Sequence, residues 1–335
     1  MTTSTRNRQW IYASRPDGAV GLEHFQLREA PLPAPGPGQA LARVRAVSID
    51  PAQRAWMMTK TYRPQLVPGE LMPAFALAEV LESNAPGLKP GEIIEGDFGW
   101  QDYVVVTPER VQRRDAAKSI EHLMGVLHFT GLTAYFGMLE VGRPRPGETV
   151  VVSGAAGAVG SIAVQIAKIA GCRVVGIAGG AEKCRWLVQE LGIDAAVDYK
   201  AGGLSEALAA ACPDGVDVYF DNTGGEILET TLSLMNVHGR IACCGAVSQY
   251  DQGGWSTGPR GVPGVLIFKR IHMEGFLLTD FLKDRKVAEK ALTNWLRSGK
   301  LKAPVEAVNG LENAPQALID LLKGRNLGKM LVRVS

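Results

Sequence analysis

The chain has 335 residues, too many for one ordinary core, which predicts about two domains. Its 36 basic and 34 acidic side chains leave a formal net charge of +2, and no Lys/Arg block stands out, so composition disfavours nucleic acid or a membrane surface as partner. The opening MTTSTRNRQWIYASRPDG holds no apolar core of signal-peptide length, and later apolar stretches are broken by charges such as Lys168 and Arg173; a cytoplasmic location is expected.

In chain order, residues 1–125 alternate Pro/Gly turns (APLPAPGPGQ, PGLKPGE) with short strand-like runs, ALARVRAVSI, AFALAEVLE and DYVVV. This spacing predicts a compact, mostly β domain. From residue 126 apolar strands alternate with helical periods. TVVVSG precedes a helix reaching Ala170, RVVGIA precedes AEKCRWLVQELG, and AAVDY precedes LSEALAAAC. VDVYFDN then leads to EILETTLSLMN, RIACCGA follows, and a strand HMEGFLL with the helix KVAEKALTNWLRSG completes six strands by residue 302. The rhythm predicts an α/β fold with a doubly wound parallel sheet covered on both faces. The tail, residues 303–335, carries an amphipathic helix, LENAPQALIDLLKG, and a strand, KMLVRVS. Because six strands already complete such a sheet, the tail is assigned to the first domain.

SGAAGAVG, residues 153–160, joins TVVV to the helical SIAVQIAKIAG. A turn between a first strand and its helix needs small residues, so that backbone N–H groups can approach a pyrophosphate at the helix N-terminus. Ala155, Gly157 and Gly160 occupy the three positions of G-x-G-x-x-G, so the first glycine is replaced. The bland alternative is a small-residue turn that merely lets helix pack on strand; the βα units around it favour a dinucleotide site. The second strand ends in IAGG, residues 177–180, without the acid that would bind the ribose hydroxyls of NAD. Lys183 and Arg185 follow beside Glu182, and a cationic, acid-free strand end suits NADPH.

The five cysteines, all in the later half, form no C-x-x-C, and the five histidines form no H-E-x-x-H. Neither a disulfide framework nor a metal site is expected.

With these residues placed, the chain resembles the medium-chain dehydrogenase/reductases, specifically the zinc-independent NADPH-dependent double-bond reductases (prostaglandin reductase, 2-alkenal reductase, bacterial curcumin reductase). The resemblance runs nearly end to end. It rests on NRQWIYASRPDG (7–18), VSIDPAQRAWM (47–57), GWQDYVV (99–105), TGLTAYFGMLEVGRPRPGETVVVSGAAGAVGS (130–161), YFDNTGGEIL (219–228), CGAVSQY (244–250) and NLGKMLV (326–332). It implies a Rossmann domain beside a GroES-like β domain built from both chain ends, and a homodimer in which the HMEGFLL edge pairs across a two-fold.

The same resemblance implies the site. Ala156, Gly157, Ala158 and Val159 would meet the pyrophosphate beside Gly160 of the loop, and Lys183 and Tyr199 the 2′-phosphate. Asn222, the loop Cys244, Gly245, Ala246, Val247, Ser248, Gln249 and Tyr250, the nicotinamide-side residues Phe276, Leu277 and Leu278, and Asn326 complete the coenzyme set. Zinc-dependent alcohol dehydrogenase relatives carry a Cys in the segment that here reads VSIDPAQRAWM, and a His-Glu pair where this chain has LMPAFALAEVLES. The implied reaction is therefore reduction of an activated C=C bond. It takes hydride to the β-carbon, a hydrogen bond to the developing enolate and a proton at the α-carbon.

Tyr250 is the first expected hydroxyl donor and Tyr62 the second. Many relatives have Tyr and Met where DPAQR puts Ala52 and Gln53, so a wider or more polar substrate side is expected there; Arg54 is expected to be structural. The substrate expected is a small or medium hydrophobic α,β-unsaturated carbonyl compound. A quinone reductase of the same superfamily, and a catalytically idle NADPH-binding relative, remain as alternatives.

Overall fold

The computed structural model describes residues 6–250, 258 and 261–334; Ser335, at the end of the expected strand KMLVRVS, lies outside them. The chain separates into two compact units, one of residues 1–124, 306–326 and 330–335, the other of residues 125–305 and 327–329.

In the first unit β1 (Arg6–Tyr12) and β2 (Phe25–Pro31) form an antiparallel pair. They are followed by β3 (Ala40–Ser48), helix α1 (Ala52–Met58), β4 (Phe75–Ser83), β5 (Ile93–Asp97), β6 (Tyr103–Val106) and β7 (Gln112–Arg114). Alternation along β3 sets its faces: Ala42, Val44 and Ala46 are buried, while Arg43 and Arg45 between them are only partly so. The core gathers Tyr12, Val44, Trp56, Met57, Met72 and Trp100. Arg54 of α1 is fully buried, and its guanidinium donates to the Gly18 carbonyl at 2.6 Å, which fastens an early loop to the helix.

The second unit holds six parallel strands, β8 (Thr149–Ser153), β9 (Arg173–Ala178), β10 (Ala195–Asp198), β11 (Val216–Asp221), β12 (Met235–Cys243) and β13 (His272–Gly275). Their order, β10-β9-β8-β11-β12-β13, is the doubly wound arrangement expected from the βα rhythm. Period-2 alternation divides the buried residues between two layers. Val150, Val152, Val174 and Phe220 pack with α2 (Phe129–Phe136), α3 (Ala158–Ile169), α4 (Ala181–Leu191) and α8 (Arg285–Arg297). Val151, Val175, Tyr219 and Ile241 pack with α5 (Leu204–Ala211), α6 (Gly225–Leu234) and α7 (Val262–Lys269). The chain then returns through β14 (Val305–Asn309), α9 (Ala314–Leu322) and β15 (Lys329–Arg333). β15 lies antiparallel to β3, with Leu331 opposite Ser48, in a sheet ordered β14-β15-β3-β4-β5-β7 that also takes β6 on β3.

Two local expectations need correction, and the turns around α2 were not anticipated. HMEGFLL leaves the sheet at Gly275, because the Asp280 carboxylate accepts from the Leu277 N–H at 3.0 Å and turns Leu278–Asp284 into a 3₁₀ segment. The helix in EILETTLSLMN ends at Leu234, and Met235 already begins β12. Around α2, π-helical turns at Glu121–Val126 and Gly137–Gly142 escape the simple 3.6-residue pattern. They bring backbone very close: a Cβ on Gly131 would fall on the Val126 carbonyl oxygen.

Gly131→Ala is therefore expected to destabilise the protein by about 2 kcal/mol or more, read as a lower urea midpoint. Gly264→Ala, on α7 with open space around it, should be neutral or stabilising by about 0.5 kcal/mol. Equal effects of the two would contradict this packing.

Candidate functional site

The glycine loop lies between β8 and α3. Gly154 takes a positive φ of 56°, the Gly157 N–H donates to the Gly154 carbonyl at 2.9 Å, and Gly157 is the N-cap of α3. No side chain caps that helix among the described residues, so its first amides, at Ala158, Val159 and Gly160, keep the N-terminal donor capacity that suits an anion. A Cβ on Gly160 would strike the Gly154 carbonyl oxygen and come within 2.8 Å of Ala155 Cα. Ala155, which replaces the first glycine, is fully buried and its N–H donates to the Ile177 carbonyl at 3.0 Å. Its methyl occupies the space above Gly176, where an added Cβ would lie 2.9 Å away. The pair Ala155/Gly176 thus fills one packing position, the methyl of one taking the space that the other leaves.

The loop is also tied to the chain's last segment. The Gly328 N–H donates to the Ala156 carbonyl at 2.8 Å, and Gly157 and Gly328 pair as a parallel bridge. Gly328 has a φ of 67°, and a Cβ there would fall on the Pro304 carbonyl oxygen, so only glycine fits. Asn326, two residues earlier, is buried and belongs to the first unit.

At the end of β9, Gly179 and Gly180 lead into α4, whose first turn carries Lys183, half-buried, while Arg185 is exposed. Asp198 Oδ1 accepts from the N–H groups of Gly180 at 2.7 Å and Lys200 at 2.9 Å. Tyr199 lies over Gly179, its hydroxyl 3.0 Å from where a Cβ would stand. Lys183 and Tyr199 are thereby placed around the same glycine turn. Asp198 was not anticipated as its organiser, since the turn it braces is 18 positions away in sequence.

The centre of the site is Asp221, buried at the end of β11. Its Oδ1 accepts from Ser153 Oγ at 3.0 Å, Tyr219 OH at 2.8 Å, Thr223 N–H at 3.0 Å, Thr223 Oγ1 at 3.3 Å and Gly224 N–H at 2.9 Å. Ser153 Oγ in turn accepts from the Asn222 N–H at 2.9 Å, and Asn222 Nδ2 donates to the Ser153 carbonyl at 2.7 Å. The Asp221 carbonyl takes the N–H groups of Cys244 and Gly245, at 2.8 and 3.1 Å. Val247 N–H reaches the Asn222 carbonyl, and both Ser248 N–H and Ser248 Oγ reach that of Thr223, at 3.2 and 2.6 Å. Asn222 and the loop Cys244–Tyr250, distant in sequence, therefore form one structure. Ser153, Asp221 and Thr223, which hold it, were missed; the available signal was an acid ending an otherwise apolar strand.

Tyr250 closes that loop, half-buried. Burial raises its pKa above the ordinary phenol value, partly offset by the Ala246 N–H, which donates to its oxygen. The hydroxyl proton has no acceptor among the described residues. Tyr62, by contrast, is 47% exposed in the first unit, edge-on to Trp56 with ring centroids 6.0 Å apart. The Arg63 guanidinium lies 4.5 Å over the Trp56 ring and pairs with Asp97 at 2.8 Å.

Phe276 and Leu278 turn their side chains into the core, Phe276 against Phe220 and Phe281, while Leu277 is 46% exposed. One expectation changes. Gln53 does not make a substrate side more polar: it is buried, its Nε2 donating to the Pro73 carbonyl at 2.9 Å and its Oε1 accepting from the Asp50 N–H at 3.0 Å. Its amide is consumed in bracing α1.

Burial raises all five thiols, Cys172 and Cys212 to about 11, Cys243 and Cys244 to about 12, and Cys184 upward. They are thiols at neutral pH, poor nucleophiles and poor ligands. No three His, Cys, Asp or Glu side chains group as a metal ion would require among the described residues, and no helix among them is long and apolar enough to cross a membrane.

A family model described as an N-terminal domain of oxidoreductase matches residues 8–113, and one described as zinc-binding dehydrogenase matches residues 158–295. The chain is 40% identical over 336 residues to the NADPH-dependent curcumin reductase of Escherichia coli (strain K12), covering 98% of this chain and 97% of that one. Identity to prostaglandin reductase 1 of Bos taurus is 39% over 333 residues, covering 97% and 98%. Among solved structures, CurA of Vibrio vulnificus in complex with NADPH aligns with a TM-score of 0.94 at 38% identity, over 98% of this chain and 99% of that one.

Because Ala155 serves packing, Ala155→Gly is expected to leave NADPH affinity unchanged while costing about 1 kcal/mol of stability. Gly160→Ala should weaken NADPH at least about tenfold, since the loop cannot keep its path. Fluorescence titration beside thermal melts reads both; tighter NADPH binding by Ala155→Gly would refute the packing role.

Proposed function

Since this chain belongs to the medium-chain dehydrogenase/reductase family, in its NADPH-dependent double-bond reductase group, we propose that it reduces the C=C bond of α,β-unsaturated ketones and aldehydes. NADPH, its coenzyme, supplies the hydride for the β-carbon. The residues present fit that coenzyme: the turn at Gly154–Gly160 has no room for a side chain at Gly160, and the β9 end, itself without an acid, is followed by a cation and a phenol. In this reading the backbone of Ala156–Gly160 holds the pyrophosphate, and Lys183 and Tyr199 hold the 2′-phosphate. Asn222, the loop Cys244–Tyr250, the backbone of Phe276–Leu278 and Asn326 complete the holding set. The first unit carries the substrate side.

The observation that carries the reading is Tyr250. Its hydroxyl proton has no acceptor among the described residues, burial raises its pKa, and its loop is anchored through Asp221. Such a group donates a hydrogen bond to a carbonyl oxygen as negative charge develops on it, which stabilises the enolate; protonation at the α-carbon completes the reduction. Tyr62 is the second hydroxyl in this reading. The protein acts in the cytoplasm as a homodimer through the β13 edge; β13 ends its sheet among the described residues, and Ile267 and Phe268 of α7 are 71% and 80% exposed.

NADPH oxidation with an enone should yield the saturated ketone; oxidation with simple quinones alone would sink the proposal. Tyr250→Phe should lower kcat roughly a hundredfold with an unchanged NADPH dissociation constant. Because a raised phenol pKa keeps the donor protonated through neutral and mildly alkaline pH, the rate should not fall on Tyr250's account until above about pH 10. A lower alkaline limb that vanishes in Tyr250→Phe would contradict this.

A further inference from the structure

We propose that Lys200 is a second cation for the 2′-phosphate of NADPH, acting with Lys183, and thereby sets the preference for NADPH over NADH. This rests on the reading of the β9 end as the 2′-phosphate site. A Cβ on Gly179 would lie 2.8 Å from Lys200 Cε and 2.9 Å from Tyr199 Cε1, so both side chains lie flat on the glycine turn. The Lys200 ammonium is 5.9 Å from the centroid of the Tyr199 ring, which places a positive charge beside the phenol. The backbone beneath is fixed as well, because Asp198 Oδ1 binds the N–H groups of both Gly180 and Lys200.

Charge balance asks for this second cation. A phosphate monoester carries about −1.5 to −2 at pH 7. Lys183 supplies one positive charge, and Glu182 and Asp198 oppose it in the same region. Arg185 is the other basic residue of the first turns of α4. It stands two positions from Lys183, and residues two apart on a helix do not share a face. Lys200, already seated on the turn, is the remaining candidate. NADH has no charge there and gains nothing from it.

Dissociation constants of NADPH and NADH, at low and high salt, are to be measured by fluorescence for Lys200→Met, Lys200→Arg, Gly179→Ala and Lys183→Met. Lys200→Met should weaken NADPH about tenfold, leave NADH within about twofold, and reduce the salt dependence of NADPH binding. Lys200→Arg should recover most of the loss, and Gly179→Ala, which displaces Tyr199 and Lys200 together, should reproduce it. If Lys200→Met affects both coenzymes equally or neither, while Lys183→Met still selectively loses NADPH, the Lys200 assignment is wrong. If Lys183→Met also shows no selectivity, the phosphate-site reading falls and the assignment falls with it.

Discussion

One buried carboxylate holds the coenzyme half of this protein together. Asp221 is removed from water at the end of the central strand β11, and a carboxylate in that position persists only when its oxygens are well supplied with donors. Five donors converge on Oδ1, from two segments, the ends of β8 and β11, that the sheet order brings side by side. The same charge leaves its mark on the surroundings. After burial itself, it is a further reason that the thiols of Cys243 and Cys244 and the Tyr219 phenol keep their protons. The main chain of the same residue carries the loop that ends in Tyr250. A defect at Asp221 would therefore reach Ser153, Asn222 and the proposed proton donor together.

Small residues around the site divide into two kinds. Gly160 and Gly328 are glycines because a carbonyl oxygen already occupies the Cβ position. Ala155 and Gly176 are complementary, one supplying the methyl that the other omits. Such a pair satisfies close packing between neighbouring strands without touching the face presented to an anion. The departure from the glycine pattern at residue 155 is consequently taken up in packing.

The family membership rests on similarity along nearly the whole chain, and the physical reading agrees with it in the second unit. The six strands and the helices α3, α4, α5, α6 and α8 were legible because each strand alternates or runs apolar and glycines mark most of the turns, while α7 was not anticipated. The departures arose where a side chain's partner is fixed by the folded backbone and not by a local pattern of residues. Gln53 reads as a polar residue near a substrate, but Asp50 and Pro73 consume its amide. The Phe276 ring turns into the space that Gly137 leaves, a contact that no local pattern announces. Lys200 carries no motif at all; its place on Tyr199 and Gly179 depends on the neighbouring ends of β9 and β10.

What the sequence by itself determined is the fold class, the small-residue turn between β8 and α3 and the acid-free strand end, because periodicity, glycine spacing and charge are local properties of the chain. What only the tertiary structure decided is which side chains are spent on holding the site and which are left to act. Hydrogen bonds such as Ser153–Asp221 and Asp198–Gly180 close between strands that meet only in the folded sheet. A donor's availability, as with the Tyr250 hydroxyl, follows from what its neighbours have already satisfied.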